Sequence, residues 1–275
     1  MKSIPRKLPR RLLAWALSLA FAAVPIGGSA NHSWGGYHWA RTTSSFTLTL
    51  GDNASSTWDP YLATTSSDWS KSSVLDTTIA PGGTTARRCR ATNGRVEVCN
   101  EKYGNNGWLG VAQIWISGSH ITQGTVKVND TYFNTAKYDK PEWRNLVMCQ
   151  EVGHTLGLDH QNTDFTNTNL GTCMDYTNNP LGPPDNEHPN QHDYDELVTI
   201  YKHLDSYTSA SSQTSNSAAA MPSAMTEIDY SERAQWGTLL RSSKNGLLEV
   251  YMLEFGRAHK IFTFVIWAEG QGRGR

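Results

Sequence analysis

Residues 150–160 read Gln150-Glu151-Val152-Gly153-His154-Thr155-Leu156-Gly157-Leu158-Asp159-His160. Just upstream, Pro141 stands where a helix tolerates proline best, in its first turn, and Trp143, Leu146, Val147 and Met148 follow as apolar positions. The pattern predicts a buried helix of about four turns over residues 141–154. Four residues of helix turn through about 400°, so Gln150 and His154 share a face. Glu151 lies one step round, where a carboxylate reaches a metal-held water without ligating the metal. Gly157 can adopt a positive φ and end the helix, which lets the chain double back and bring His160 to the same point. Three donor groups and a base are thereby expected to converge.

Outward from this helix the pattern changes to short strands. Phe46-Thr47-Leu48-Thr49-Leu50 alternates with period two and stops at Gly51-Asp52-Asn53, which predicts a strand and a turn. Residues 55–73, with Asp59-Pro60, Trp58, Tyr61, Leu62 and Trp69, suit a helix. Strand-like runs follow at 74–79, 95–99, 111–117 and 125–129, separated by Gly and Asn clusters. A second helix is expected over 192–204, where Leu197, Ile200, Tyr201 and Leu204 recur at helical spacing. The expected fold is therefore α+β, a mixed sheet with few helices.

Between Asp205 and Glu227 there is no charged residue, and Ser, Thr and Ala dominate, the composition of a linker. Beyond it, runs at 236–241, 247–253 and 261–267 read as a small β meander, with Asn245-Gly246 as a hairpin turn. So few strands are marginal alone, so the meander is expected to pack on the main domain or pair with an edge strand. The expected divisions are a signal peptide at 1–30, a main domain at 31–205, a linker at 206–226 and the meander at 227–275.

The first thirty residues carry Lys2, Arg6, Lys7, Arg10 and Arg11, then an apolar run over 12–26 and Gly27-Gly28-Ser29-Ala30. That order is a secretory signal peptide, with cleavage expected after Ala30. An apolar run of about 15 residues is short for a span that needs roughly 20, so no stable membrane association is expected after cleavage. The whole chain of 275 residues has 24 basic and 25 acidic side chains, and removing the five basic residues of the leader leaves a charge of −6. No basic footprint for nucleic acid exists. A monomer is expected. In an oxidising compartment the four cysteines should pair. Cys89 and Cys99 flank a turn-like segment, which favours Cys89 with Cys99 and Cys149 with Cys173; none has zinc-finger spacing.

The stretch at 150–160 resembles the metzincin signature H-E-x-x-H-x-x-G-x-x-H, with Glu151, His154, Gly157 and His160 in place and Gln150 where the first His stands. Cys173-Met174-Asp175-Tyr176 looks like the Met-turn, with Met174 as the turn methionine. The resemblance extends over about residues 46–204 and not over the meander. It implies a twisted mixed sheet with an active-site helix and a C-terminal helix behind it. It further implies a secreted metalloendopeptidase acting on proteins or peptides. Gln150, His154 and His160 would be the metal ligands and Glu151 the general base. Tyr176 matches a tyrosine that some metzincins use as a further ligand or oxyanion donor.

Gln150 departs from the pattern. Its amide oxygen is neutral and harder than an imidazole nitrogen, so zinc affinity should fall. Zinc is the implied metal. Copper is the alternative, because a Gln-Glu-x-x-His variant occurs among gametolysin-like members and copper stands highest in the general affinity order. The alternative function is a secreted metal- or ligand-binding protein of the same fold without hydrolysis. Asp159 or Asp175 would hold an imidazole in place. His188, His192 and His203 read as loop and cap residues, His120 as a loop residue that could line a cleft, and His32, Trp34, His38 and Trp39 as a terminus tucked against the domain.

Overall fold

Strand β1 (His38–Trp39) precedes β2 (Phe46–Asn53), in which Phe46, Leu48 and Leu50 are buried and Thr47 is exposed, the alternation of a strand with one covered face. The coordinates are a computed structural model and describe residues 32–210, 222, 224–227, 230–256 and 258–272. The expected signal peptide and the centre of the Ser/Thr/Ala-rich segment lie outside the described residues.

Helix α1 (Asp59–Trp69) follows, with Asp59 and Pro60 in its first turn; it is shorter at both ends than the expected 55–73. Then come β3 (Leu75–Pro81), β4 (Arg95–Glu101), β5 (Trp108–Ser117) and β6 (His120–Asn129). The short helix α2 (Asp130–Phe133) is capped by the Asn129 side chain, which accepts from the Thr131 amide. Helix α3 (Pro141–Thr155) has Pro141 at its start and buries one residue after another from Leu146 onward. Helix α4 (Gln191–Ile200) opens on a capping box between Asn190 and Asp193. It stops short of the expected residue 204, and Leu204 is exposed, because apolar spacing continues past the point where there is a surface to bury it against. Short α5 (Ala224–Glu227) and a single 3-10 turn (Arg233–Gln235) lead to β7 (Thr238–Ser242), β8 (Leu248–Glu254) and β9 (His259–Trp267).

These strands make one large mixed sheet in the order β3-β2-β4-β6-β5-β9-β8-β7, with β1 pairing β6 beside this path. Pairs among β1, β2, β3, β4 and β6 are parallel, and every pair involving β5, β7, β8 or β9 is antiparallel. The protein is thus a mixed α/β fold built on a large twisted sheet with few helices, the twist following from strand chirality. Helix α3 lies across β5 and β6 and reaches β9, while α1 packs on α3 and β3.

The meander pairs with an edge strand, as one of the two expected arrangements had it: β9 runs against β5 from Trp108 opposite Trp267 to Ser117 opposite His259. Residues 31–275 form one compact unit, and one apolar cluster runs from Phe46 on β2 to Phe264 and Trp267 on β9. Ser209, in the expected linker, is buried; its amide donates to the Ala40 carbonyl at 2.9 Å and its hydroxyl to that of Ile121 at 2.6 Å. Asn245-Gly246 makes the β7–β8 hairpin, with Gly246 at φ 70°. Both disulfides pair as expected, Cys89 with Cys99 and Cys149 with Cys173. Among the described residues no helix is long and apolar enough to cross a membrane.

Candidate metal centre

Glycine sets the approach of α3 to its surroundings at two places. A Cβ on Gly153 would come within 2.6 Å of the Met174 sulfur and 2.8 Å of the Trp69 ring, and one on Gly110 of β5 within 2.6 Å of a Glu151 oxygen. The helix therefore sits tightly between the turn that carries Met174 and strand β5. Gly157 ends it at φ 103°. The Leu158 amide turns back to the Gly153 carbonyl, and the chain returns so that the His154 and His160 rings meet edge to face at 4.5 Å.

Each motif side chain is buried. The Gln150 amide nitrogen donates to the Cys173 carbonyl at 2.7 Å, which fixes the amide and leaves Oε1 buried without a partner. The Cys149–Cys173 disulfide anchors the same carbonyl to the helix. His154 Nδ1 is 2.9 Å from the Leu158 carbonyl, so Nδ1 carries the proton and Nε2 the lone pair. Burial, with the His160 imidazole beside it, pushes the His154 pKa down to about 3. His160 Nε2 is likewise buried and unpartnered. Buried polar atoms are seldom left unpaired, and here Gln150 Oε1, Glu151 Oε2 and His160 Nε2 belong to one motif. Imidazole nitrogens and an amide oxygen are ligand types that a transition-metal cation accepts.

Glu151 lies against β5, where the Ala112 amide is its hydrogen-bond partner; burial pushes its carboxyl well above the usual carboxylate range despite that amide.

Of the two candidate imidazole-holding carboxylates, Asp159 takes the place. Its Oδ1 accepts the His160 amide at 2.8 Å and lies 3.4 Å from His160 Nδ1. Burial raises the Asp159 pKa, but His160 and the Arg241 guanidinium outweigh it and hold the carboxyl below its ordinary value. Asp175 instead braces the loop before Met174, accepting from Asn167 and Leu170 at 2.9 Å each and from Asn186 at 2.9 Å. Tyr176 is buried with its ring 4.9 Å from Phe165; burial raises its pKa well above that of a free phenol. Among the described residues no hydrogen bond joins it to His154 or His160.

The C-terminal strands wall this centre. Phe264 of β9 lies flat on His154, ring centroids 4.5 Å apart and 9° from parallel. Arg241 of β7 reaches Asp159 at 2.5 Å and stacks over Trp34 at 4.5 Å. The tucked terminus contributes as well, since the Trp34 amide donates to the Gly157 carbonyl and His32 Nδ1 lies 2.7 Å from the Asp159 carbonyl. Sequence reasoning did not place Phe264 or Arg241 here. The run Ile261-Phe262-Thr263-Phe264-Val265-Ile266-Trp267 carried a trace of it, being apolar almost throughout, as in strands buried on both faces. A cavity of about 440 Å³ lies elsewhere, lined by Arg88, Gln113, Trp115 and Lys127 among others, and by no motif residue.

The remaining histidines fall into other contacts. His188 Nδ1 lies 2.6 Å from Asp68, and His192 stacks on His32 at 4.8 Å. His38, His120 and His203, which read as terminus, loop and cap residues, gather instead around Asp205. No family model and no curated protein matches the chain.

Proposed function

We propose that the protein is a secreted metal-dependent endopeptidase of the metzincin type, with Gln150, His154 and His160 as ligands of zinc or copper. The observation that carries this is the set of buried, unpartnered atoms Gln150 Oε1, Glu151 Oε2 and His160 Nε2, in one motif with a His154 whose Nδ1 is engaged by a carbonyl. A bound divalent ion would polarise the peptide carbonyl and ease ionisation of water. Glu151 takes the proton from the attacking water at its unpaired oxygen and returns it to the departing amine. Tyr176, kept protonated by burial, is the candidate hydrogen-bond donor to the tetrahedral oxyanion. Asp159 steadies His160, and Met174 fills the space below the helix that Gly153 leaves open.

A peptide substrate would recognise β5, the strand beside Glu151, by adding to its edge. In the resting chain β9 holds that edge along its length, so β7–β9 must shift before a peptide enters. The leader sequence and the two disulfides support secretion. The same covering favours a second reading, a metal-binding protein of this fold that does not cleave. Chelator-sensitive cleavage of a generic protein substrate, restored by zinc or copper, is the outcome expected of the endopeptidase; metal uptake without cleavage belongs to the second reading.

A further inference from the structure

Strand β1 sets His38 directly opposite His120 on β6, and the chain leaving α4 brings His203 and Asp205 to the same place. His38 is 3% exposed. Its Nδ1 lies 2.8 Å from the Gly36 carbonyl, which puts the proton on Nδ1 and leaves Nε2 with its lone pair. That Nε2 is buried with no hydrogen-bond partner, 3.5 Å from Asp205 Oδ2. His203 Nε2 lies 3.7 Å from Asp205 Oδ1, and its ring meets that of His38 edge to face at 4.7 Å. One ligand atom from each of His38, His203 and Asp205 falls within 4.8 Å of the others.

We infer that His38, His203 and Asp205 form a second metal site, for a divalent transition-metal ion such as zinc. Two imidazole nitrogens and a carboxylate oxygen are zinc's ligand types, whereas calcium or magnesium would ask for a shell of oxygens. Bound through deprotonated imidazoles, as a metal requires, the set would carry one negative charge, from Asp205, for the cation to neutralise. The carboxylate is already aimed: His120 Nε2 lies 2.9 Å from Oδ1, and the Arg41 amide donates to Oδ2 at 3.0 Å. His120 is in turn held by the Tyr207 hydroxyl, 2.9 Å from its Nδ1. These are the outer hydrogen bonds that orient ligands around a metal. Closing the three atoms onto one ion asks mainly for rotation of His203, whose side chain is half-exposed. The role is structural. The ion would tie the N-terminal strand to the chain beyond α4, beside the hydrogen bonds of Asp205 to Arg41 and Ser209 to Ala40.

The test is zinc stoichiometry of the 31–275 chain after chelator stripping and dialysis, by elemental analysis, with cobalt absorption as a second probe. His203→Ala, and His203→Gln as the milder variant, should each bind one equivalent fewer than the unsubstituted chain. Each should also lose part of the zinc-dependent rise in Tm, with an unchanged circular dichroism spectrum. The difference between variant and parent is the readout, so the result stands whether or not Gln150, His154 and His160 take a metal. Equal zinc content in parent and variants, or none in the parent, would overturn the site and leave a hydrogen-bonded His–Asp cluster.

Discussion

Phe264 lies on the face of His154 at 4.5 Å and nearly parallel to it, so the last strand of the chain forms a wall of the motif that α3 presents. The motif residues and their cover belong to one core. The consequence is a centre whose protonation, ligand chemistry and access can each be probed separately.

Protonation is the first. In the metal-free chain His154 accepts a proton only near pH 3, against an ordinary value of 6.5. The unfolded chain takes that proton earlier as pH falls, so stability rises with pH across this window and is lost as pH drops from about 6.5 toward 3. Glu151, whose carboxyl is raised, pulls the other way, so the readout is a difference: between about pH 6.5 and 3 in chelator, a His154→Gln variant should lose less thermal stability than the parent.

Gln150 offers one amide oxygen where an imidazole would bind zinc more strongly. Gln150→His is expected to raise zinc affinity by about tenfold or more, read by competition with a chromophoric chelator. The new side chain gives up the 2.7 Å bond to the Cys173 carbonyl, so part of the gain is offset. Unchanged affinity would mean that residue 150 does not face the ion.

In the proposed reaction Tyr176 serves the oxyanion, a role implied by the resemblance of residues 173–176 to the Met-turn. Tyr176→Phe should lower kcat by about tenfold or more, the scale of a lost oxyanion donor, with little change in KM. Equal kcat would remove the role.

The Cys149–Cys173 bridge closes a loop over 24 residues of sequence and fixes the carbonyl that orients Gln150. Replacing both cysteines by serine is expected to cost about 2–4 kcal/mol in denaturant unfolding and to weaken metal binding beyond that loss. Full retention of metal affinity would show that the bridge acts on stability alone.

The fold was legible where local patterns suffice. Alternation at Phe46, Leu48 and Leu50 marked β2, Pro141 marked the start of α3, and Asn245-Gly246 marked a hairpin. The convergence of His154 and His160 followed from Gly157, because a positive φ there redirects the chain. What stayed hidden depended on pairings between distant segments. Nothing near Phe264 or Arg241 in sequence names His154 or Asp159 as a partner; strand pairing of β9 with β5 brings them there. His38 and His203 were equally opaque, each read as a terminus or cap residue, since β1 and the end of α4 meet only in the folded chain. Asp159 and Asp175 were equivalent in sequence and are separated by their neighbours, the one beside His160 and Arg241, the other among loop amides.

Whether Glu151 drives hydrolysis beneath the cover of β9 is decided by peptide cleavage with four forms of the metal-loaded 31–275 chain: unsubstituted, Phe264→Leu, Glu151→Ala, and the last two combined. Leucine keeps the core filled and removes the ring from His154. Chelator-sensitive hydrolysis is expected of the unsubstituted chain, faster hydrolysis of Phe264→Leu, and none of either form lacking Glu151. Hydrolysis that survives Glu151→Ala, or its absence from both forms that keep Glu151 while metal is bound at the motif, would contradict the proposed function.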